Sequence, residues 1–402
     1  MDLRYSEDAE KYRAHITSLL GSTLPEGWHG LGALDPGERG TFLREWRNVL
    51  LEHRLLAPHW PTEHGGGGLS NSERAVLNEE FTKAGVPLML TDNDASGFQL
   101  LGNIVLALGT PEQKSHFLPR VISGEHLWCQ GFSEPGAGSD LASVATRAVR
   151  EGDEWVINGQ KIWTSAGHLA NWMFALVRTD TEAPKHRGLT FLLIPMDQPG
   201  IEVRPISQIN GNPEFNEVFF TDARTSAENV IGEVNGGWGV AMMTLGFERG
   251  ENATAMALRF QAEFDRLVDL VNSRGRGDDP QVRARLARCY TRLQVVRLLA
   301  MRSLTTFLSG EPPGPEAAIV KLYWSEYWQS VSALAVDVLG AEAIAPTVQR
   351  PPSADGPDLH GAPNDSGSWV GTYLNAFAST IYTGTSEIQR NIIAERVLGL
   401  PK

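Results

Sequence analysis

Cysteine is the scarcest chemistry in this chain. Cys129 and Cys289 are the two thiols among 402 residues, too few for a disulfide framework or a four-thiolate metal site, so a reducing cytoplasm is the expected setting. Long apolar runs are also missing. No stretch approaches the roughly 20 residues a membrane helix needs, and Met1 to Tyr5 carry no apolar signal core, so neither secretion nor insertion is expected. Positive charge is in deficit, with 35 Lys and Arg against 48 Asp and Glu and a formal net charge of -13. That balance argues against a nucleic-acid or anionic-membrane surface while leaving room for local basic pockets. No strand, glycine loop and helix with a downstream acid occur in order, so neither a Rossmann nor a Walker nucleotide site is expected. Internal repeats and low-complexity tracts are absent too.

What is present is the material of a folded protein with core enough for two or three domains: 42% of residues are hydrophobic and 21% charged. The first third reads as helices. Asp35-Pro36 is a cap followed by proline at the first helical position, and Phe42, Trp46, Val49, Leu50 and Leu56 then recur at roughly helical spacing. Ser70 with Glu73, and Thr110 with Gln113, each fit a capping box, so two further helices begin there. Between them Pro61-Thr62-Glu63-His64, followed by Gly65 to Gly68, is too glycine-rich for regular structure and reads as a connector or as a substrate-facing loop.

From about Trp128 the period changes. Asn158-Gly159 between apolar runs predicts a hairpin, and Leu189 to Pro195, Ile201 to Pro205 and Glu217 to Phe220 predict three further strands, with turns at Pro199-Gly200 and Gly211-Asn212-Pro213. A compact antiparallel β domain follows. After Gly236-Gly237-Trp238 the chain is helical again. Val240 to Asn272 is long enough for one extended helix, and Val282, Leu286, Cys289, Leu293, Val296 and Ala300 form one apolar stripe with Arg285, Arg288 and Arg292 beside it, read as a solvated face. Arg350 to Ser368, rich in Pro, Gly, Ser and Asp, reads as an exposed loop or insertion. A capping box of Ser386 and Gln389 opens a final helix that stops at Gly399.

Two stretches stand out as chemistry. Gln130 to Asp140, with Pro135, Gly136 and Gly138 flanked by Ser133, Ser139 and Asp140, forces a tight loop whose N–H groups regular structure does not absorb. Asn158 to Gly167 places Trp163 and small hydroxyl residues at the end of a strand. These, with the closing Tyr382-Thr383-Gly384-Thr385-Ser386-Glu387-Ile388-Gln389-Arg390, resemble the acyl-CoA dehydrogenase family in order and spacing over nearly the whole chain. The resemblance implies an α+β fold: an N-terminal all-α domain (1–126), a middle antiparallel β domain (127–235) and a C-terminal four-helix-bundle-like α domain (236–402).

It also implies a cofactor, a reaction and partners. In the family Phe132 and Ser133 bond the flavin pyrimidine of FAD, Gly138 and Ser139 face its phosphate side, Trp163 lies against the flavin, and Ser165 donates at N5, where donors favour the reduced ring. Gly384 and Thr385 set a helix N-terminus against the pyrophosphate. The implied reaction is α,β-dehydrogenation of an acyl-CoA to a trans-2-enoyl-CoA in lipid metabolism, with an electron-transfer flavoprotein as acceptor. Many members carry the base immediately before Gly-Thr-Ser; here Thr383 stands there, and a hydroxyl is no general base near neutral pH. The isovaleryl-CoA and long-chain branches carry a glutamate on an earlier helix, which Glu248 matches. Burial would raise its pKa and the adjacent Arg249 would oppose that. The backbone N–H of Thr383 keeps the role of polarising the thioester carbonyl, and Arg249 and Tyr382 stand on the substrate side.

Two departures concern residues the family lends across a subunit interface. Its Arg-x-x-Phe-Gly stretch is replaced by Val271 to Pro280, and its Gln near a Gly-Gly pair is replaced by Asp337 in Asp337-Val338-Leu339-Gly340, an unfavourable neighbour for phosphate. Similar altered pairs occur in actinobacterial acyl-CoA dehydrogenases for sterol side chains, built from two different chains, so a homo- or hetero-tetramer and a bulky, branched or sterol side-chain acyl group are implied. Two alternatives stay open: a flavin-holding, non-catalytic partner subunit, and an acyl-CoA oxidase or flavin monooxygenase on the same scaffold.

Overall fold

The computed structural model describes residues 5–247, 253–311, 314–346 and 359–401. The chain folds as two compact units, one made of Met1–Val49, Leu69–Leu88 and Arg249–Lys402, the other of Leu50–Gly68 and Met89–Glu248.

The first unit is helical. It holds α1 (Glu7–Thr23), most of α2 (Pro36–Glu52), α3 (Asn71–Ala84), α8 (Ala253–Ser273), α9 (Pro280–Leu308), α10 (Ala317–Leu339), α11 (Ser366–Ala376) and α12 (Ser386–Ile392). Proline at the start of α2 and the reciprocal Ser70–Glu73 capping box of α3 form as expected. The apolar stripe of α9 is buried at Val282, Cys289, Leu293, Val296 and Ala300, and it meets Phe260 and Leu267 of α8, Tyr327, Trp328 and Val331 of α10, and Trp369 of α11 in one core. Arg285 and Arg292 lie beside that stripe but are engaged rather than merely solvated: Arg285 pairs with Asp337, and Arg292 donates to Ser330 Oγ at 2.7 Å.

The run expected to form one helix from Val240 to Asn272 is helical as α7 (Gly237–Phe247) and α8, and residues 248–252 lie outside the described residues. The exposed loop expected over Arg350 to Ser368 also falls partly outside them. Its last three residues are the first turn of α11, because Asp365 caps that helix by accepting from Ser368 N at 2.8 Å.

The second unit combines α4 (Asp92–Asp94), a π-helical turn over Ala95–Leu101, α5 (Gly102–Leu108), α6 (Pro111–Ser123) and α7 with a seven-stranded sheet. The Thr110–Gln113 capping box opens α6. The glycine-rich stretch after Pro61 forms a 3-10 turn over Thr62–His64 that, with Leu51, Lys114 and Ile122, lines a groove of about 830 Å³. The strands are β1 (Trp128–Gly131), β2 (Arg147–Glu151), β3 (Glu154–Ser165), β4 (Trp172–Arg178), β5 (Leu189–Pro195), β6 (Ile201–Pro205) and β7 (Phe215–Ser226). Their order is β1-β4-β2-β3-β7-β6, with β5 against β4.

Two expectations for the sheet need correction. It is not purely antiparallel, since β1 runs parallel to β4. Nor is Asn158-Gly159 a hairpin turn. A type I′ turn needs positive φ at both central residues, and of the two Gly159 alone has it, at 148°. The chain instead reverses at Gly152-Asp153, between the paired Glu151 and Glu154, and β3 runs on through Asn158, opposite which β7 carries one residue more. Asn158 is spent on β7: its amide donates to Asp222 Oδ1 at 2.9 Å and its Oδ1 accepts from Asp222 N at 3.0 Å. Among the described residues no helix is long and apolar enough to cross a membrane.

Candidate functional site

The Gln130–Asp140 stretch leaves β1 as a tight loop. Glu134 and Ala137 exchange backbone hydrogen bonds at 3.1 and 3.0 Å, which turns the chain over Pro135-Gly136. Ser133 O accepts from Ile162 N at 2.9 Å, tying the loop to the end of β3. Among the described residues no backbone acceptor takes the N–H of Ser133, Gly138 or Ser139. Phe132 is buried, edge-on to Phe174 and Phe191 with centroids 5.9 and 6.0 Å away, whereas Gly138 and Ser139 are exposed.

The end of β3 departs from strand geometry where the sequence singled it out. Between Lys161, opposite Val218, and Thr164, opposite Asn216, β3 carries one residue more than β7. The bulge puts Trp163 at φ 61°, a backbone conformation that costs a bulky residue energy. Its indole is 55% exposed and stands edge-on to Phe215, centroids 6.0 Å apart. A large aromatic held in a strained conformation and turned to solvent offers a face for a planar ligand. Below it Thr164 is fully buried with no partner for its Oγ1 among the described residues, and Asn216 Nδ2 donates to Thr164 O at 2.9 Å. Asn93 ties β1 to this end of β3 by donating to Trp128 O at 3.0 Å and Ala166 O at 3.2 Å.

A buried ion pair underlies the loop. Lys161 Nζ, with no exposed surface, donates to Glu134 Oε1 at 2.7 Å, Phe132 O at 3.1 Å and Leu176 O at 2.6 Å. Glu134 in turn accepts from Ala145 N at 2.6 Å and Thr146 N at 2.9 Å. Burial opposes the Glu134 charge, but the Lys161 ammonium and these N–H donors hold its carboxyl below the usual range. Burial likewise pushes Lys161 down from the usual lysine range, with the Glu134 carboxylate resisting.

The second constellation belongs to the helical unit. Thr383 and Gly384 have φ of 50° and 95°, and Gln389, 2% exposed, donates its Nε2 to Thr383 O at 3.1 Å and Gly384 O at 3.3 Å. The N–H of Thr383 meets no backbone acceptor among the described residues. The cap of α12 lies one residue earlier than expected: Thr385 Oγ1, not Ser386, accepts from Ile388 N at 3.2 Å, because the left-handed turn ends at Gly384 and Thr385 is the first residue with extended φ and ψ. Ser386 Oγ and Gln389 Oε1 are buried without partners among the described residues. A cavity of about 600 Å³ adjoins them, lined among others by Arg292, Gln329, Thr385, Glu387 and Arg390. Helix N–H groups, a capping hydroxyl and the guanidiniums of Arg292 and Arg390 face it, with both guanidiniums paired to Glu326, which lines it too. Tyr382 is half-buried, its ring 6.4 Å from that of Trp324.

The site residues thus form two groups. Phe132, Ser133, Gly138, Ser139, Trp163 and Ser165 belong to the loop and strand end of the sheet unit; Tyr382, Thr383, Gly384 and Thr385 belong to the turn before α12. Glu248 and Arg249 lie outside the described residues. Lys161, Glu134 and Asn93 were not singled out by sequence, and Gln389 was read only as the capping-box partner of Ser386. A signal existed for Lys161, which shares the inward face of β3 with Trp155 and Ile157 at strand period, a place where a lysine calls for a partner.

Each group offers donors or a flat face for a ligand, and comparison with known proteins gives the class. Models of the acyl-CoA dehydrogenase N-terminal, middle and C-terminal domains match residues 31–125, 129–223 and 235–398. The chain belongs to the acyl-CoA dehydrogenase family and is an oxidoreductase acting on acyl-CoA. It is 43% identical over 400 residues to acyl-CoA dehydrogenase IpdE1 of Mycobacterium tuberculosis, covering 98% of this chain and 99% of that one. Among solved structures it is similar to the Tcur3481-Tcur3483 steroid ACAD, with TM-score 0.80, 33% identity and full coverage of both chains. It is also similar to the ChsE4-ChsE5 complex of Mycobacterium tuberculosis, with TM-score 0.77, 27% identity and full coverage of both chains.

Proposed function

We propose that this chain is an FAD-dependent acyl-CoA dehydrogenase that desaturates the α,β bond of a bulky thioester, a sterol side-chain acyl-CoA being the best candidate. One observation carries the reading: the N–H of Thr383 is left without a backbone acceptor by a left-handed turn that Gln389 clamps. A donor so held suits a thioester carbonyl whose oxygen gains negative charge as the α proton leaves. Phe132, Ser133, Gly138, Ser139, Trp163, Ser165, Gly384 and Thr385 would hold FAD. Bound FAD would supply the two-electron acceptor for the hydride leaving the β carbon. Glu248 takes the α proton as general base, with Arg249 and Tyr382 on the substrate side, and an electron-transfer flavoprotein reoxidises the protein.

The test is Glu248→Gln. The expected outcome is a yellow protein whose flavin is no longer bleached by acyl-CoA; bleaching at the wild-type rate refutes the assignment of the base.

A specific observation favours a heteromeric version of this reading. Arg274 is spent on a double ion pair with Glu342, both contacts at 2.7 Å, and Asp337 pairs with Arg285. These segments replace the ones the family lends to a neighbour's FAD, and here Arg274 and Asp337 are paired within the chain. The steroid ACAD and the ChsE complex are each named for two chains. The reading is therefore a tetramer of two different subunits with fewer flavins than chains, and it is checked by counting flavins per subunit after co-purification from the native host. One flavin per chain in a homotetramer overturns it.

A further inference from the structure

The loop that carries the flavin donors is tied to the rest of the sheet unit by one buried charge pair, and the partners of that pair are backbone groups on three separate segments. Lys161 Nζ reaches Phe132 O at 3.1 Å, in the loop, and Leu176 O at 2.6 Å, on β4. Glu134, also in the loop, reaches Ala145 N and Thr146 N at 2.6 and 2.9 Å, just before β2. Lys161 itself sits on β3 two residues before Trp163, where the bulge begins. The Ser133 O to Ile162 N bond at 2.9 Å closes the same ring of contacts. One pair therefore relates the carbonyl of Phe132, the turn at Pro135-Gly136 and the strand end that carries Trp163 and Ser165.

Stability alone gives no reason to keep such a pair. Burying two charges forfeits hydration that their attraction only partly returns, and buried pairs replaced by apolar residues of similar volume are often as stable or more so. What an apolar pair lacks is acceptors and donors for the backbone groups now bound. We propose that Lys161 and Glu134 are positioning residues for the flavin site: they fix the loop donors of Ser133 to Ser139 relative to Trp163 and Ser165, so that one ring system meets both sets. The inference rests on the reading that these residues hold FAD.

The experiment uses the full chain as purified from its host, stripped of flavin and titrated with FAD. Two variants are compared with wild type: Lys161→Met/Glu134→Gln, which removes both charges, and Glu134→Gln, which keeps the side-chain shape. Three quantities are read: the melting temperature of the flavin-free protein, the FAD dissociation constant, and the visible circular dichroism of bound flavin, which reports its surroundings. The expected result is a double variant that melts within a few degrees of wild type yet binds FAD at least tenfold more weakly, with an altered visible band. Glu134→Gln is expected to weaken FAD at least threefold with a band altered in the same sense. A variant with the wild-type dissociation constant and an unchanged band overturns the inference, as does weakening that only follows a lost melting transition and is not reproduced by the other variant. A wild-type chain that takes up no FAD overturns the flavin reading itself and is thereby told apart.

Discussion

Gly384→Ala is the most direct test of the turn before α12. At φ 95° an alanine is pushed beyond even the left-handed region, a cost of roughly 1–2 kcal/mol. The new Cβ would also stand 2.5 Å from Gln389 Nε2. That nitrogen is the end of a side chain only 2% exposed, so it yields by giving up its bonds to Thr383 O and Gly384 O, at about 0.5–1.5 kcal/mol each. Together these terms predict destabilisation of roughly 2–5 kcal/mol. Urea denaturation followed by far-ultraviolet circular dichroism measures it, and two controls separate the terms. Gly275 has φ 65° with nothing within 4 Å of an added Cβ, so Gly275→Ala carries the backbone cost alone, roughly 1 kcal/mol. Gly239, in α7, has neither obstacle, and its alanine variant gains roughly 0.5–1 kcal/mol. With its carbonyl clamp displaced, the Thr383 N–H is no longer aimed, and flavin reduction by acyl-CoA falls on the order of a hundredfold. If Gly384→Ala costs no more than Gly275→Ala, Gln389 does not hold the turn and the reasoning fails.

Three further outcomes are expected. His126 packs among His116, Phe117, Trp128 and Trp172, and burial lowers its pKa from 6.5 to about 4. The unfolded chain therefore binds the extra proton between those values, and stability falls as pH is lowered from about 6.5 to 4, by at most about 3 kcal/mol. In His126→Phe that part of the acid loss is missing, and parallel melting curves across this range for both proteins would refute it. Trp369 has no exposed surface, lies 4.8 Å beneath the Arg266 guanidinium and donates to Asn364 Oδ1. Trp369→Ala should cost about 3–5 kcal/mol in urea denaturation, and a cost below 1 kcal/mol would mean the helical core closes without it. Asp337→Gln removes only an exposed pair with Arg285, so its stability should stay within about 1 kcal/mol of wild type. A larger loss would show that the pair is structural.

Much of the fold was legible because caps and periods are local. Ser70 with Glu73 and Thr110 with Gln113 form the capping boxes expected of them, and Leu189–Pro195 and Ile201–Pro205 are strands with the bounds that their punctuation implied. What misled was also local chemistry, overridden by distant partners. Asn158-Gly159 has the composition of a hairpin turn, yet Asp222 on β7 claims the asparagine and the strand runs on. Ser386 fits a cap by spacing, but the left-handed turn at Gly384 brings Thr385 into that role. In the candidate site, the loop glycines and Trp163 could be named from type and order. Their supports could not: Glu134 and Lys161 are 27 positions apart, and nothing short of tertiary structure brings them together.

Because Gln389 holds residue 383 by its carbonyl and leaves its side chain exposed, the donor supplied there is a property of the main chain. Whatever side chain other than proline stands there, the amide keeps its aim so long as the glycine and the glutamine after it persist. On the proposed reading, position 383 is then free to carry an acid or a hydroxyl, and the duty of abstracting a proton can pass to another helix while charge on the carbonyl oxygen is met from the same place.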